Sequence, residues 1–72
     1  MNEKEIKLLN DLAEKLKSKR IELNLSQEDL ANKCGLDRTY ISLLERSKRN
    51  PSYLILLKIC DGLEINIREI IG

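Results

Sequence analysis

The clearest structural pattern in the chain lies in QEDLANKCGLDRTYISLLER, residues 27–46. Gly35 stands in its middle, and glycine adopts the left-handed backbone conformation that ends a helix and lets the chain turn. Ala31, four residues earlier, is small enough for two helices to approach each other closely. The stretch therefore predicts two short helices, 27 to about 34 and 38 to about 46, joined by a tight turn.

Residues that cap helices predict where each helix of the chain begins. The first helix should begin after Asn2, which has Glu5 three places on, and end near Asn24. The two short helices should begin after Ser26, paired with Asp29, and after Asp37, and a fourth helix should begin after Ser52 and end at Gly62. A last turn or two should follow Asn66, paired with Glu69, and carry Ile67, Ile70 and Ile71. The expected fold is all-α, with five helices and no strand.

Apolar residues recur at helical spacing along each predicted helix, which indicates one shared core. The candidate core positions are Ile6, Leu9, Ala13, Leu16 and Leu23 in the first helix, Leu30, Cys34, Leu36, Ile41 and Leu44 around the turn, and Leu54, Leu57, Ile59 and Cys60 in the fourth. Leucine and isoleucine supply 23 of the 72 residues, and there is no Phe or Trp. So small a chain uses nearly all its apolar groups in one core, so we expect a single domain over residues 1–72.

Size and composition argue against an enzyme. A 72-residue chain has no room for a catalytic cleft or a cofactor cavity, and it contains no histidine for acid–base chemistry at neutral pH. Cys34 and Cys60 are too few ligands for a structural zinc site, so we expect no metal and no cofactor. The start of the chain lacks the apolar run of a signal peptide or membrane span, which favours a reducing, cytoplasmic setting with free thiols over a disulfide.

Charge is uneven along the chain although the net charge is only +1. Residues 37–50 contain four basic and two acidic side chains. If Asp37 caps a helix and Glu45 pairs inside the fold, four cations face solvent there, which suits a nucleic-acid partner. The alternative is an ordinary solvated surface.

Two helices crossing over a tight turn and flanked by basic residues are typical of a helix-turn-helix. In this order and spacing, KSKRIELNLSQEDLANKCGL, DRTYISLLERSKRNPS and LLKICDGLEI resemble the Cro and CI type of helix-turn-helix regulators over about residues 12–71. Within that family, DRTYIS followed by ER and RNPS resembles the controller proteins of restriction-modification systems. The resemblance implies a compact lambda-repressor-like DNA-binding domain.

The resemblance also implies that the helix starting at Arg38 enters the major groove of double-stranded DNA. We expect base contacts from Arg38, Thr39, Ser42 and Leu43, and phosphate contacts from Gln27, Tyr40, Arg46, Lys48, Arg49, Asn50 and Ser52. Arginine is the residue type that reads guanine through two parallel hydrogen bonds. Two alternatives stay open: Tyr40 as a half-buried ring packed on the fourth helix, and Leu43 as a packing residue.

Arg20 lies in the apolar stripe of the first helix, and a charge in that position needs a partner. Glu45 falls on the inward side of the helix that starts at Arg38, and the resemblance implies that an arginine and a glutamate at these places pair beneath the motif. We therefore expect a structural ion pair between Arg20 and Glu45.

One short recognition helix reads only a few base pairs, so selective binding favours two copies on one face of the DNA. The C-terminal segment, about residues 53–72, is rich in isoleucine, and we expect a homodimer interface at Leu63, Ile65, Ile67, Ile70 and Ile71, with Tyr53 and Leu56 as neighbours, unless these residues only seal the core. The expected function is a transcription regulator that binds a pseudo-palindromic operator, with no small-molecule ligand. The alternatives are an antitoxin-type autoregulator and a protein-interaction domain that has this fold without DNA binding.

Overall fold

The computed structural model describes residues 1–70, and this part of the chain is all helical. It contains α1 (Glu3–Glu22), α2 (Gln27–Cys34), α3 (Arg38–Glu45) and α4 (Tyr53–Gly62). The predicted fifth helix is wrong, because Ile67–Glu69 forms a single 3-10 turn. Its two backbone hydrogen bonds, from Glu69 N to Asn66 O (2.9 Å) and from Ile70 N to Ile67 O (3.1 Å), join residues three positions apart, whereas those of an α-helix join residues four apart.

Each α-helix begins directly after the capping residue that the sequence predicts. The cap oxygens of Asn2, Ser26, Asp37 and Ser52 accept hydrogen bonds from the backbone N–H groups of Glu5, Asp29, Thr39 and Ile55, respectively. At α2 the bond is reciprocated, because the Asp29 carboxylate accepts from the backbone N–H of Ser26 at 3.0 Å. These contacts satisfy N–H groups that a helix leaves free at its start, so the starts of the helices are fixed locally.

A residue with a left-handed backbone conformation follows each of the four helices, but only one of these four residues is glycine. Gly35 has φ 68°, whereas Asn24, Ser47 and Glu64 reach φ 59°, 61° and 58°. Each turn is closed by a backbone bond to the helix before it, such as Lys48 N to Leu43 O at 2.8 Å. The turn after α3 thereby reverses the chain and directs residues 48–50 back along that helix.

Gly62 has a packing role that the sequence does not reveal. Although α4 ends at Gly62, the left-handed residue beyond it is Glu64. A Cβ at Gly62 would come within 2.5 Å of Cys34 Sγ. The missing side chain of Gly62 therefore lets α4 approach the end of α2.

All four helices contribute to one core, in which α2 packs against α3 and α4, and α3 also packs against α1. The fully buried large side chains of this core are Leu16, Leu30, Ile41, Leu44, Ile59 and Leu63. Ala31 is 1% exposed, as expected for the small residue at the helix crossing. Both cysteines are free and buried, and burial raises the pKa of each thiol. Within the described part of the chain, every helix is too short or too polar to span a lipid bilayer.

Three predicted core residues are instead exposed: Ile6 (46%), Leu54 (64%) and Leu57 (37%). All of residues 1–8 are exposed, because no other described element covers the first turns of α1. The start of α4 is apolar over successive residues, so its periodicity does not select a face. Packing selects the face with Leu56 and Ile59 and leaves the opposite one in solvent.

Candidate nucleic-acid interface

The two sides of α3 have opposite environments. Ile41 and Leu44 are buried beneath the helix, at 0% and 1% exposure. Arg38 and Thr39 are exposed on the other side, and Ser42 and Leu43 lie one turn later, partly exposed. The four residues expected to contact bases are thus brought onto one accessible surface of a short, capped helix.

A hydrogen-bonded network anchors the inner side of α3. Arg20 Nε donates to Glu45 Oε2 at 2.7 Å, and Arg20 Nη2 donates to Glu45 Oε1 at 3.0 Å. Arg20 Nη1 donates to the backbone oxygen of Leu25 at 2.7 Å. The ion pair expected from the sequence is therefore present in the bidentate geometry that is strongest for arginine and a carboxylate.

Burial makes this pair a structural element. The side chains of Arg20 and Glu45 are only 11% and 3% exposed. The hydrogen bonds to Glu45 raise the pKa of the Arg20 guanidinium further above its ordinary value, so Arg20 stays charged. A buried, bidentate pair of this kind fixes the angle of α3 against α1.

Gln27 joins the same network, which sequence reasoning missed. Its Nε2 donates to Glu45 Oε1 at 3.1 Å, so α2 as well as α1 is tied to the last residue of α3. The amide has two N–H donors, and Glu45 uses one of them. Gln27 is thus held in place at the start of α2 while it keeps one donor for another acceptor. No sequence signal pairs Gln27 with Glu45, because the two residues are 18 positions apart.

The loop after α3 carries three of the four cations of residues 37–50. Arg46 folds back on the helix, where its Nε donates to Ser42 O at 3.4 Å. Lys48, Arg49 and Asn50 are exposed. Ser52 Oγ accepts from Ile55 N at 3.2 Å, so its hydroxyl hydrogen stays free to donate.

Tyr40 is partly buried and contacts an arginine of the loop that follows α3. Its ring is half-buried and packs on the edge of the core. The guanidinium carbon of Arg49 lies 5.1 Å from the ring centroid, within the range of a cation–π contact. The sequence did not reveal this contact.

The acids near α3 are both engaged inside the chain. Asp37 accepts the backbone N–H of Thr39 at 2.9 Å, and Glu45 is held by Arg20 and Gln27. The exposed cations between residues 37 and 50 are Arg38, Arg46, Lys48 and Arg49. Residues 37–50 therefore expose four cations and one carboxylate, that of Asp37, although the chain as a whole is nearly neutral.

The predicted C-terminal dimer residues are only partly available. Leu63 is 0% exposed and Ile70 is 6% exposed, so both belong to the chain's own core, and Leu63 has no surface to offer a partner. Ile65 and Ile67 are half-buried against that core, and Ile71 lies outside the described residues. Of the two expected neighbours, Leu56 is buried at 7% exposure and faces the chain's own core, whereas Tyr53 is exposed on the outer face of α4 together with Leu54 and Leu57.

Comparisons with known proteins identify the family. A family model described as helix-turn-helix matches residues 16–70, which is more than half of the chain. The control protein C.MunI of a Mycoplasma species is 43% identical over 70 residues, covering 97% of this chain and 90% of C.MunI.

Two solved structures of controller proteins superpose closely. C.AhdI from Aeromonas hydrophila has a TM-score of 0.84 at 40% identity, covering 86% of this chain and 94% of that one. C.Esp1396I, solved as a tetramer with its natural 35 base-pair operator, has a TM-score of 0.80 at 41% identity, covering 90% of this chain and 96% of that one. The predicted resemblance is therefore confirmed: the chain belongs to the helix-turn-helix family of Cro and CI type, and it is similar to the controller proteins of restriction-modification systems.

Proposed function

We propose that this protein is a transcription regulator that binds a specific sequence of double-stranded DNA through α3. The observation that carries the proposal is the exposed row of Arg38, Thr39, Ser42 and Leu43 on a helix whose opposite side is locked to α1 and α2. A rigid, short helix with polar side chains at its N-terminal end suits the major groove.

The outer face of α3 offers the chemistry that reads bases. Arg38 has a planar guanidinium that donates two hydrogen bonds to O6 and N7 of guanine. Thr39 offers a hydroxyl to a base or phosphate and a methyl group to thymine. Ser42 and Leu43, one turn further along, add contacts to base or sugar edges.

Residues around α3 supply the phosphate contacts. Gln27 keeps one amide donor, Tyr40 and Ser52 carry hydroxyls, and the start of a helix favours an anion. The exposed loop contributes Arg46, Lys48, Arg49 and Asn50. These contacts set the position of the protein on the duplex, while the α3 residues read its sequence.

The chain acts as one domain over residues 1–72, with the motif at 27–46 and a dimerisation segment within about 53–72. We place the centre of the dimer interface on the outer face of α4, at Tyr53, Leu54 and Leu57, and keep the half-buried Ile65 and Ile67 as further interface residues. A two-fold axis through that face gives two copies of α3 for one pseudo-palindromic operator. The similarity to C.MunI and C.AhdI supports a role as the controller protein of a restriction-modification system.

Selection from random-sequence DNA tests the function. We expect one enriched, pseudo-palindromic site whose binding weakens as salt concentration rises. Arg38→Ala should weaken binding to that site by about 1 to 3 kcal/mol and relax the preference at one base pair of each half-site. Lys7→Ala, which removes an exposed positive charge from the start of α1, is the matched control and should keep the preference. Absence of any enriched site would refute the proposal.

Sedimentation tests the dimer. We expect a dimer at tens of micromolar, and we expect Leu54→Lys to make it monomeric because it places a charge in the apolar interface. Ile6→Lys, a similar change at an exposed position of α1, is the control and should remain dimeric. A wild-type protein that stays monomeric with and without DNA contradicts this part of the proposal.

A further inference from the structure

One side-chain contact joins α3 to the loop that follows it in the chain. Tyr40 lies in the first turn of α3 and Arg49 lies nine residues later, yet the guanidinium carbon of Arg49 stands 5.1 Å from the centre of the Tyr40 ring. The left-handed Ser47 and the bond from Lys48 N to Leu43 O reverse the chain and make this approach possible. The contact is therefore a consequence of how α3 ends.

We infer that Tyr40 is a positioning residue for Arg49: its aromatic ring, rather than its hydroxyl, holds the guanidinium at the edge of the α3 surface, ready to bind a DNA phosphate. This inference rests on the proposed DNA-binding function and adds a role for Tyr40 beyond a phosphate contact of its own. Arg49 is exposed, and a free arginine side chain loses considerable conformational entropy when it binds. The half-buried ring reduces that loss by restricting Arg49 before DNA arrives.

The geometry of a guanidinium allows both contacts at once. A guanidinium that lies flat on an aromatic ring keeps its five N–H donors in its own plane, where they remain available to phosphate oxygens. A lysine ammonium has no flat face and cannot stack in the same way. The proposal therefore requires an arginine at position 49, because a positive charge alone does not give the stacked contact.

The test compares the effect of Arg49→Ala on operator affinity in three backgrounds: the wild type, Tyr40→Phe and Tyr40→Leu. Phenylalanine keeps the ring without the hydroxyl, so the loss of affinity caused by Arg49→Ala should match that in the wild type. Leucine removes the ring, so that loss should shrink by about two- to fivefold, the range of an exposed cation–π contact. Lys48→Ala is the control and should cost the same in all three backgrounds. An equal cost for Arg49→Ala in the wild type and in Tyr40→Leu overturns the inference.

Arg49→Lys tests the same contact without disturbing the core, in case Tyr40→Leu unfolds the protein. It keeps the charge and should still weaken binding by about two- to fivefold in the wild type. Unchanged affinity for Arg49→Lys contradicts the inference.

Nuclear magnetic resonance of the free protein separates this inference from the proposed function. The Arg49 side-chain protons should show an upfield ring-current shift in the wild type and in Tyr40→Phe, and Tyr40→Leu should abolish it. A shift with no DNA binding by any variant refutes the function and leaves the contact intact. DNA binding without the shift refutes the inference alone.

Discussion

The inner and outer sides of α3 both depend on arginine, but they use it in opposite ways. On the inner side, Arg20 donates hydrogen bonds from three nitrogens to Glu45 and to the Leu25 carbonyl, and its side chain is 11% exposed. On the outer side, Arg38 is exposed and forms no ion pair with any residue of the described chain. The same residue type thus stabilises the fold at position 20, while at position 38 it offers its hydrogen-bond donors to solvent.

This difference shows where the effect of a substitution should be measured. A buried charge that loses its partner remains desolvated and costs stability, whereas an exposed charge remains solvated when it is removed or unpaired. Changes on the inner side should therefore alter unfolding, and changes on the outer side should alter binding.

Glu45→Ala should lower the free energy of unfolding by about 3 kcal/mol, because it leaves Arg20 buried without its partner and removes the acceptor of Gln27. Urea unfolding followed by circular dichroism measures the effect. Arg38→Ala should change the same quantity by no more than about 0.5 kcal/mol. Glu14→Ala removes an exposed carboxylate from α1 and is the control for the loss of a negative charge. If Glu45→Ala lowers the free energy of unfolding no more than Glu14→Ala does, the inner side of α3 does not contribute to stability in the way proposed.

Gly62→Ala should lower the free energy of unfolding by about 1 to 2 kcal/mol, because the added methyl group meets Cys34 Sγ at 2.5 Å. Alanine is otherwise the better helix former, so packing alone accounts for a loss. Thermal unfolding measures it. The decisive control is the double variant Cys34→Ala with Gly62→Ala, in which the obstructing sulfur is absent. If the double variant is no more stable than the sum of the two single effects implies, the close approach of α2 and α4 is not the cause.

Asp29→Asn tests a charge on the exposed edge of the motif. Hydrogen bonds from the backbone N–H and the hydroxyl of Ser26 lower the pKa of Asp29 below its ordinary value of 3.8. A carboxyl with a depressed pKa in the folded state contributes stability that is fully present above pH 3.8 and is lost as the pH falls through the folded value. The variant should therefore be slightly less stable than the wild type at pH 7, and the two should converge below pH 3.8. A difference that persists unchanged in acid would show that the carboxylate charge is not its source.

Local features of the structure were predictable from the sequence because their causes are local. Ser26, Asp37 and Ser52 cap the helices that follow them, since a capping bond spans only two or three residues. The turn glycine, Gly35, is also predictable, because a left-handed backbone is an intrinsic preference of that residue type. The candidate recognition residues on α3 follow from the same local pattern together with the family resemblance.

Burial was less predictable where apolar residues surround a helix. Leu54 and Leu57 look like core residues in the sequence, yet they lie on the outer face of α4. Leu63 looks like an interface residue and is fully buried. The buried face of a helix can be predicted from the sequence only when the opposite face is polar, and the start of α4 is apolar on all sides.

The helix starts, the tight turn at Gly35 and the positive charge around α3 follow from the order of the amino acids, because capping, backbone preference and charge act within a few residues of their source. The packing of the helices, in contrast, is what makes Gln27 share Glu45 with Arg20, makes Gly62 leave room for Cys34, and brings Arg49 onto the ring of Tyr40. Each of these contacts joins residues from different elements, and its existence depends on the angle and distance at which those elements pack. That geometry comes from the whole core, to which every helix contributes and which no single segment encodes.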